Sequence, residues 1–75
     1  MTRVVEQFRE DAAEAANEFE VKRLLWHAAV VACEVTPSNY HEWHVALAGV
    51  ALDHGIKATA AITTVKSARR KAGVL

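Results

Sequence analysis

Two histidines three residues apart, in His41-Glu42-Trp43-His44, are the first place in this 75-residue chain where chemistry could reside. On a helix they share a face, and paired imidazoles can hold a metal ion. The spacing is one residue short of the zinc-protease arrangement, in which histidines four apart ligate while the intervening glutamate acts as base. A third ligand would have to come from His27, His54, Cys33 or Glu34, none of which stands at a zinc-site spacing. No metal and no other cofactor is expected. Tyr40, Trp43 and the histidines read instead as an amphipathic surface packing on the first helix, beside Trp26 and His27. Cys33 is the only cysteine, so no disulfide forms within one chain, and its place in the apolar run 28–35 marks it as a small buried hydrophobe.

The other reactive groups do not assemble into a catalytic set. There is no glycine-rich phosphate loop, no nucleophile elbow and no nucleophile with a base positioned beside it. Glu10 and Asp11 are neighbours, but on a charged helix surface where solvent keeps carboxylates ordinary. The residues point away from an enzyme.

The richest constellation lies over residues 47–72. Val50 and Ala51 precede Gly55 by five and four positions, and Ile56 follows it directly. A small residue at Ala51 lets a second helix cross closely, and a glycine at 55 supplies the positive φ a sharp turn needs. This pattern resembles the helix-turn-helix DNA-binding superfamily. Farther on, Thr63-Thr64-Val65-Lys66-Ser67-Ala68-Arg69-Arg70-Lys71, ending in Gly73 and an aliphatic pair, resembles the recognition helix of bacterial winged-helix repressors. No strands follow it to make a wing. Measured from Gly55, the family pattern wants bulky residues where Ala61 and Thr64 stand, so a turn longer by one residue is expected, with Ile62 and Val65 inward.

The resemblance implies a helix in the major groove of duplex DNA. Thr63, Thr64, Lys66, Ser67 and Arg70 would face it, hydroxyls touching phosphate or bases and arginine offering its fork to guanine. Lys57, Arg69 and Lys71 would neutralise phosphates. One such surface binds weakly, so two copies on a dimer are expected.

The elements that position these residues are helices. From Thr2 to Val35 there is no Gly or Pro, and apolar residues recur at helical spacings, as Val5, Phe8, Ala12, Ala15, Ala16, Phe19 and then Leu24, Leu25, Ala28, Val31, Ala32, Val35. An unbroken helix over 2–35 would be about 50 Å long, whereas a compact domain of this size is roughly 30 Å across. Two outcomes follow. The helix breaks at Asn17, where Asn17 and Glu20 have capping-box spacing, or its front half packs on a second subunit. Continuity is the expectation, because alanines lead up to Asn17 and nothing there forces a turn, and Val5, Phe8, Ala12, Ala15 and Phe19 are then the dimer interface. Thr36 and Pro37 end this helix. A second helix over 38–53 starts at a Thr36 or Ser38 cap and stops at Gly55. A third over 59–72 starts at Thr59 and closes at Gly73, with Ile62, Val65, Ala68 or Arg69, and Ala72 inward.

Net charge is zero, yet residues 1–35 sum to −3 and the remainder to +3, and no acidic side chain follows Asp53. The N-terminus lacks the basic and apolar regions of a signal peptide, and the most apolar stretch, 24–35, is shorter than the roughly 20 residues a membrane span needs. The expectation is therefore a single all-α, three-helix cytoplasmic domain, a homodimeric DNA-binding transcription regulator of the small bacterial or phage kind. The alternative is a helical protein-interaction module, inhibitor or antitoxin-like, with no nucleic-acid role.

Overall fold

A computed structural model describes residues 2–35, 38 and 40–73, and in it the chain folds into four helices. They are α1 (Thr2–Ala13), α2 (Glu18–Val35), α3 (Tyr40–Asp53) and α4 (Ala58–Ala72), and among the described residues there is no strand. The expected continuous first helix is two helices, so the domain has four rather than three.

The break has a local and a long-range cause. Asn17 caps α2: its side-chain oxygen accepts from the Glu20 amide at 2.9 Å, and its carbonyl accepts from the Val21 amide at 3.2 Å. Such a cap is worth about 1 kcal/mol. The larger gain is apolar. Folded back, α1 buries Phe8 and Ala12 to 2% exposure against the rest of the chain, and full burial of a phenylalanine contributes about 1.5–3 kcal/mol. An unbroken rod forgoes both. The Cα radius of gyration, 10.8 Å, and the longest extent, 31 Å, leave no room for it.

α2 is the central element, in contact with α1, α3 and α4, and its most extensive packing is on α4. Its buried stripe is Val21, Leu25, Ala29, Ala32 and Cys33, the helical period that places one face on a core. That stripe is rotated from the expected one. Leu25 and Ala32 are inward as anticipated, whereas Leu24 and Ala28 are half-buried and Val31 and Val35 are exposed. α3 contributes Trp43, Leu47, Val50 and Ala51, with Trp43 the largest fully buried side chain, and α4 contributes Ala61, Val65 and Ala68.

The roles expected of Thr36 and Pro37 lie outside the described residues, as do Val74 and Leu75. Ser38 precedes α3, which begins at Tyr40 rather than 38.

Candidate nucleic-acid interface

The chain reverses between α3 and α4 through a glycine-centred cap. Gly55 has φ +89°, a backbone conformation open to glycine and costly to residues with a Cβ. Its amide donates to the Leu52 carbonyl and the Ile56 amide to the Ala51 carbonyl, each at 3.1 Å. These two bonds are the paired closure of a Schellman motif. Ile56 folds back to complete the core at 2% exposure, and Ala51 is fully buried. The small residue, the glycine and the aliphatic residue therefore do what their spacing predicts.

α4 begins one residue earlier than expected. Lys57 occupies the N-cap with extended backbone and no side-chain cap bond, and Gly73 closes the far end with φ 78°, its amide directed to the Arg69 and Arg70 carbonyls. Thr59 is thus inside the helix. The buried face also differs, because Ala61 is inward and Ile62 is 41% exposed. The turn is not lengthened to bring Ile62 in. Alanine at 61 instead lets α4 approach its neighbours closely.

The opposite face of α4 carries Thr63, Lys66, Ser67, Arg70 and Lys71, related by steps of three and four, and all are exposed. Thr64 is half-buried at its edge. No acidic side chain belongs to this helix, and the cations of its last turn also suit the helix dipole. The hydroxyls are already engaged. Thr63 donates to the Thr59 carbonyl and Thr64 to the Ala60 carbonyl, both at 2.8 Å, which leaves their oxygens as acceptors on this face.

Arg69 departs from the expected set. It is 7% exposed, turned inward between the helices, where its charge is felt by Cys33 of α2 and His44 of α3. Burial raises the Cys33 thiol above its ordinary value, the Arg69 charge offsets this in part, and Glu34 adds to the rise. A thiol held protonated in this way is a packing residue rather than a nucleophile. Burial lowers the His44 imidazole below its ordinary 6.5, and Arg69, Lys66 and His41 push in the same direction. Trp43 stacks with His44 on α3 at a centroid distance of 6.5 Å, and Trp26 meets His27 edge-on on α2 at 5.4 Å. Among the described residues no three His, Cys, Asp or Glu side chains converge as a metal site would need.

Lys22 is a neighbour that no linear reading of α4 finds. It lines an open cleft of about 350 Å³ with Thr59, Ala60, Thr63 and Thr64, which adds a cation from α2 beside the front of α4. Its only sequence signal is its place next to the buried Val21. The acidic side of α2 reaches the same region, because a Cβ on Gly55 would lie 3.6 Å from Glu18 Oε1. The turn is thus electrostatically mixed, and the uniformly cationic part of α4 begins at Lys66.

The proposed dimer residues of the front half are divided. Phe8 and Ala12 belong to the chain's own core, Val5 and Ala15 are partly buried against it, and Phe19 is exposed. A second apolar feature lies nearby, an open groove of about 490 Å³ between Val4 and Phe8 of α1 and Leu24, Ala28, Val31 and Val35 of α2. Among the described residues no helix is long and apolar enough to cross a membrane.

No known protein family matches this chain, and no curated protein and no solved structure is detectably similar to it.

Proposed function

We propose that the chain is a small DNA-binding regulator that sets the outer face of α4 against duplex DNA and acts in two copies. The observation that carries this reading is the acid-free stripe of Thr63, Lys66, Ser67, Arg70 and Lys71, exposed behind a turn with the Gly55 and Ile56 geometry. Lys66, Arg70 and Lys71 supply phosphate contacts, and Arg70 has the planar fork that reads guanine in the major groove. Lys57 and Lys22 add two cations at the front of the helix, where Glu18 of α2 also lies. Arg69 leaves the proposed contact set and takes a positioning role, holding α4 on α2 and α3. Cations on one face bind polyanions through counterion release, with modest affinity for a single copy.

The test is electrophoretic retention of a short mixed-sequence duplex at low salt, comparing the natural chain with Arg70→Glu. Retention by the first and loss in the second supports the reading. An absence of retention by the natural chain removes it.

One observation favours a protein-interaction role as a second reading. The α1–α2 groove exposes Val31 and Val35 beside half-buried Leu24 and Ala28, an apolar surface of the kind a partner helix covers. A stoichiometric complex disrupted by Val31→Asp and insensitive to Arg70→Glu would support that reading over DNA binding.

A further inference from the structure

His41 and His44 are a pair that the proposed function leaves unused. Their spacing puts them on one side of α3, His41 exposed and His44 half-buried. His44 stacks with Trp43, which is fully buried, so its ring is held at the edge of the core. α4 packs on this helix. The charges that act on His44 are all positive: Arg69 and Lys66 of α4, and His41 of its own helix. From α2, Cys33 lies within reach of Arg69 as a thiol, and Glu34 acts on that thiol rather than on the imidazole. α1 also packs on α3, and none of its charged side chains, Arg3, Glu6, Arg9, Glu10 and Asp11, acts on the ring. Glu42 is two residues away on α3, a spacing at which helical side chains do not face each other. Among the described residues, the cluster around His44 is therefore cationic.

Lys66 joins this cluster to the outer face of α4. It is exposed in the stripe that runs from Thr63 to Arg70, so a phosphate that meets Lys66 comes within range of His44. Arg69 makes no such link, being 7% exposed. In the free chain a proton on His44 is opposed by its cationic neighbours. An oxyanion on Lys66 reverses that balance, because it offsets the Lys66 charge and attracts an imidazolium, and at a half-buried ring solvent screens this attraction less than at an exposed one.

We infer that binding of duplex DNA through α4 takes up a proton from the buffer at His44, so that affinity rises as pH falls below neutrality. The inference rests on the DNA-binding reading and adds a regulation to it. The sign follows from linkage: a polyanion that favours protonated His44 is in turn bound more tightly by the protonated chain. The gain develops as pH falls through the value His44 takes in the complex, and it is complete below the value in the free chain, which lies under 6.5.

The experiment is a pair of duplex titrations at constant ionic strength, at about pH 7.5 and 5.5, with circular dichroism confirming folded protein at both. The natural chain is expected to bind about three- to fivefold more tightly at the lower pH, the worth of one imidazolium near one phosphate. His44→Gln is expected to lose that gain, while His27→Gln and His54→Gln keep it. A second readout needs no variant: in the natural chain, the ring-proton resonances of His44 should titrate at higher pH with duplex than without, and shift further than those of His27 and His54. Duplex binding that is equal at the two pH values, a gain that survives His44→Gln, or a His44 titration unmoved by duplex overturns the inference and leaves the DNA-binding reading in place. Failure to retain duplex at either pH removes both.

Discussion

The amide of Ile56 donates to the carbonyl of Ala51 across 3.1 Å, and both residues are buried. That one bond ties the end of α3 to the residue that starts the return, so it sets the direction in which α4 leaves. The bond requires Gly55 between them at φ +89°.

Gly55→Ala is therefore expected to destabilise the chain by about 1–2 kcal/mol, the cost of a left-handed conformation for a residue with a Cβ. The cause is conformational rather than steric, because the added Cβ would make an ordinary 3.6 Å contact with Glu18 Oε1. In a thermal melt the midpoint should fall by roughly 5–15 °C. Gly55→Asn, which tolerates positive φ better, should fall less. Equal losses would show that the turn does not depend on this conformation.

This turn was legible in the sequence because its determinants are local: Ala51, Gly55 and Ile56 define the cap whatever else packs on it. The helical class was legible for the same reason. The break after Ala13 was not, since its decisive term is the burial of Phe8 and Ala12 by elements far along the chain. The Asn17 and Glu20 spacing signalled a cap but could not outweigh the alanines that precede it. For Arg69 the sequence left two roles open, since the helical pattern offered Ala68 or Arg69 as inward while the cationic run offered Arg69 to phosphate, and in the fold both Ala68 and Arg69 are buried. What the pattern misplaced on α4 was Ile62, which is 41% exposed while Ala61 faces the core, and that register depends on how closely α4 approaches α2.

Asn17→Ala should cost about 1 kcal/mol by removing the side-chain acceptor of the Glu20 amide, while Asn17→Asp should keep most of the stability. Chemical denaturation with an unchanged slope checks this. An Asn17→Ala variant as stable as the natural chain would mean that burial of α1 alone fixes the break.

Arg69 and Arg70 are adjacent in sequence and opposite in role. Arg69→Ala should destabilise by about 1–3 kcal/mol, through lost packing of a buried side chain, with little effect on DNA affinity once folded. Arg70→Ala should leave the melting midpoint nearly unchanged and weaken DNA retention. Paired melts and binding titrations separate the two, and the reverse pattern would invert the assignment.

His44 makes stability depend on pH with a definite sign. Its imidazole is held below the ordinary 6.5 by burial first and by Arg69, Lys66 and His41 next, so the unfolded chain takes up its proton at higher pH than the folded one. The stability associated with neutral His44 is fully present above pH 6.5 and is lost as pH falls from there through the depressed folded value. Melts between about pH 7.5 and 5 should show a declining midpoint, and His44→Gln should flatten that decline. A variant with the same slope as the natural chain would place the titration elsewhere.

The outward cationic face of α4 is tested most directly by the salt dependence of duplex DNA binding. If Lys57, Lys66, Arg70 and Lys71 each neutralise a phosphate, a logarithmic plot of affinity against salt should fall with a slope of roughly −3 to −4 per bound copy. Arg70→Ala should make that slope shallower by about one. A natural chain that retains no duplex at about 50 mM salt, or whose affinity is indifferent to salt, would contradict the account.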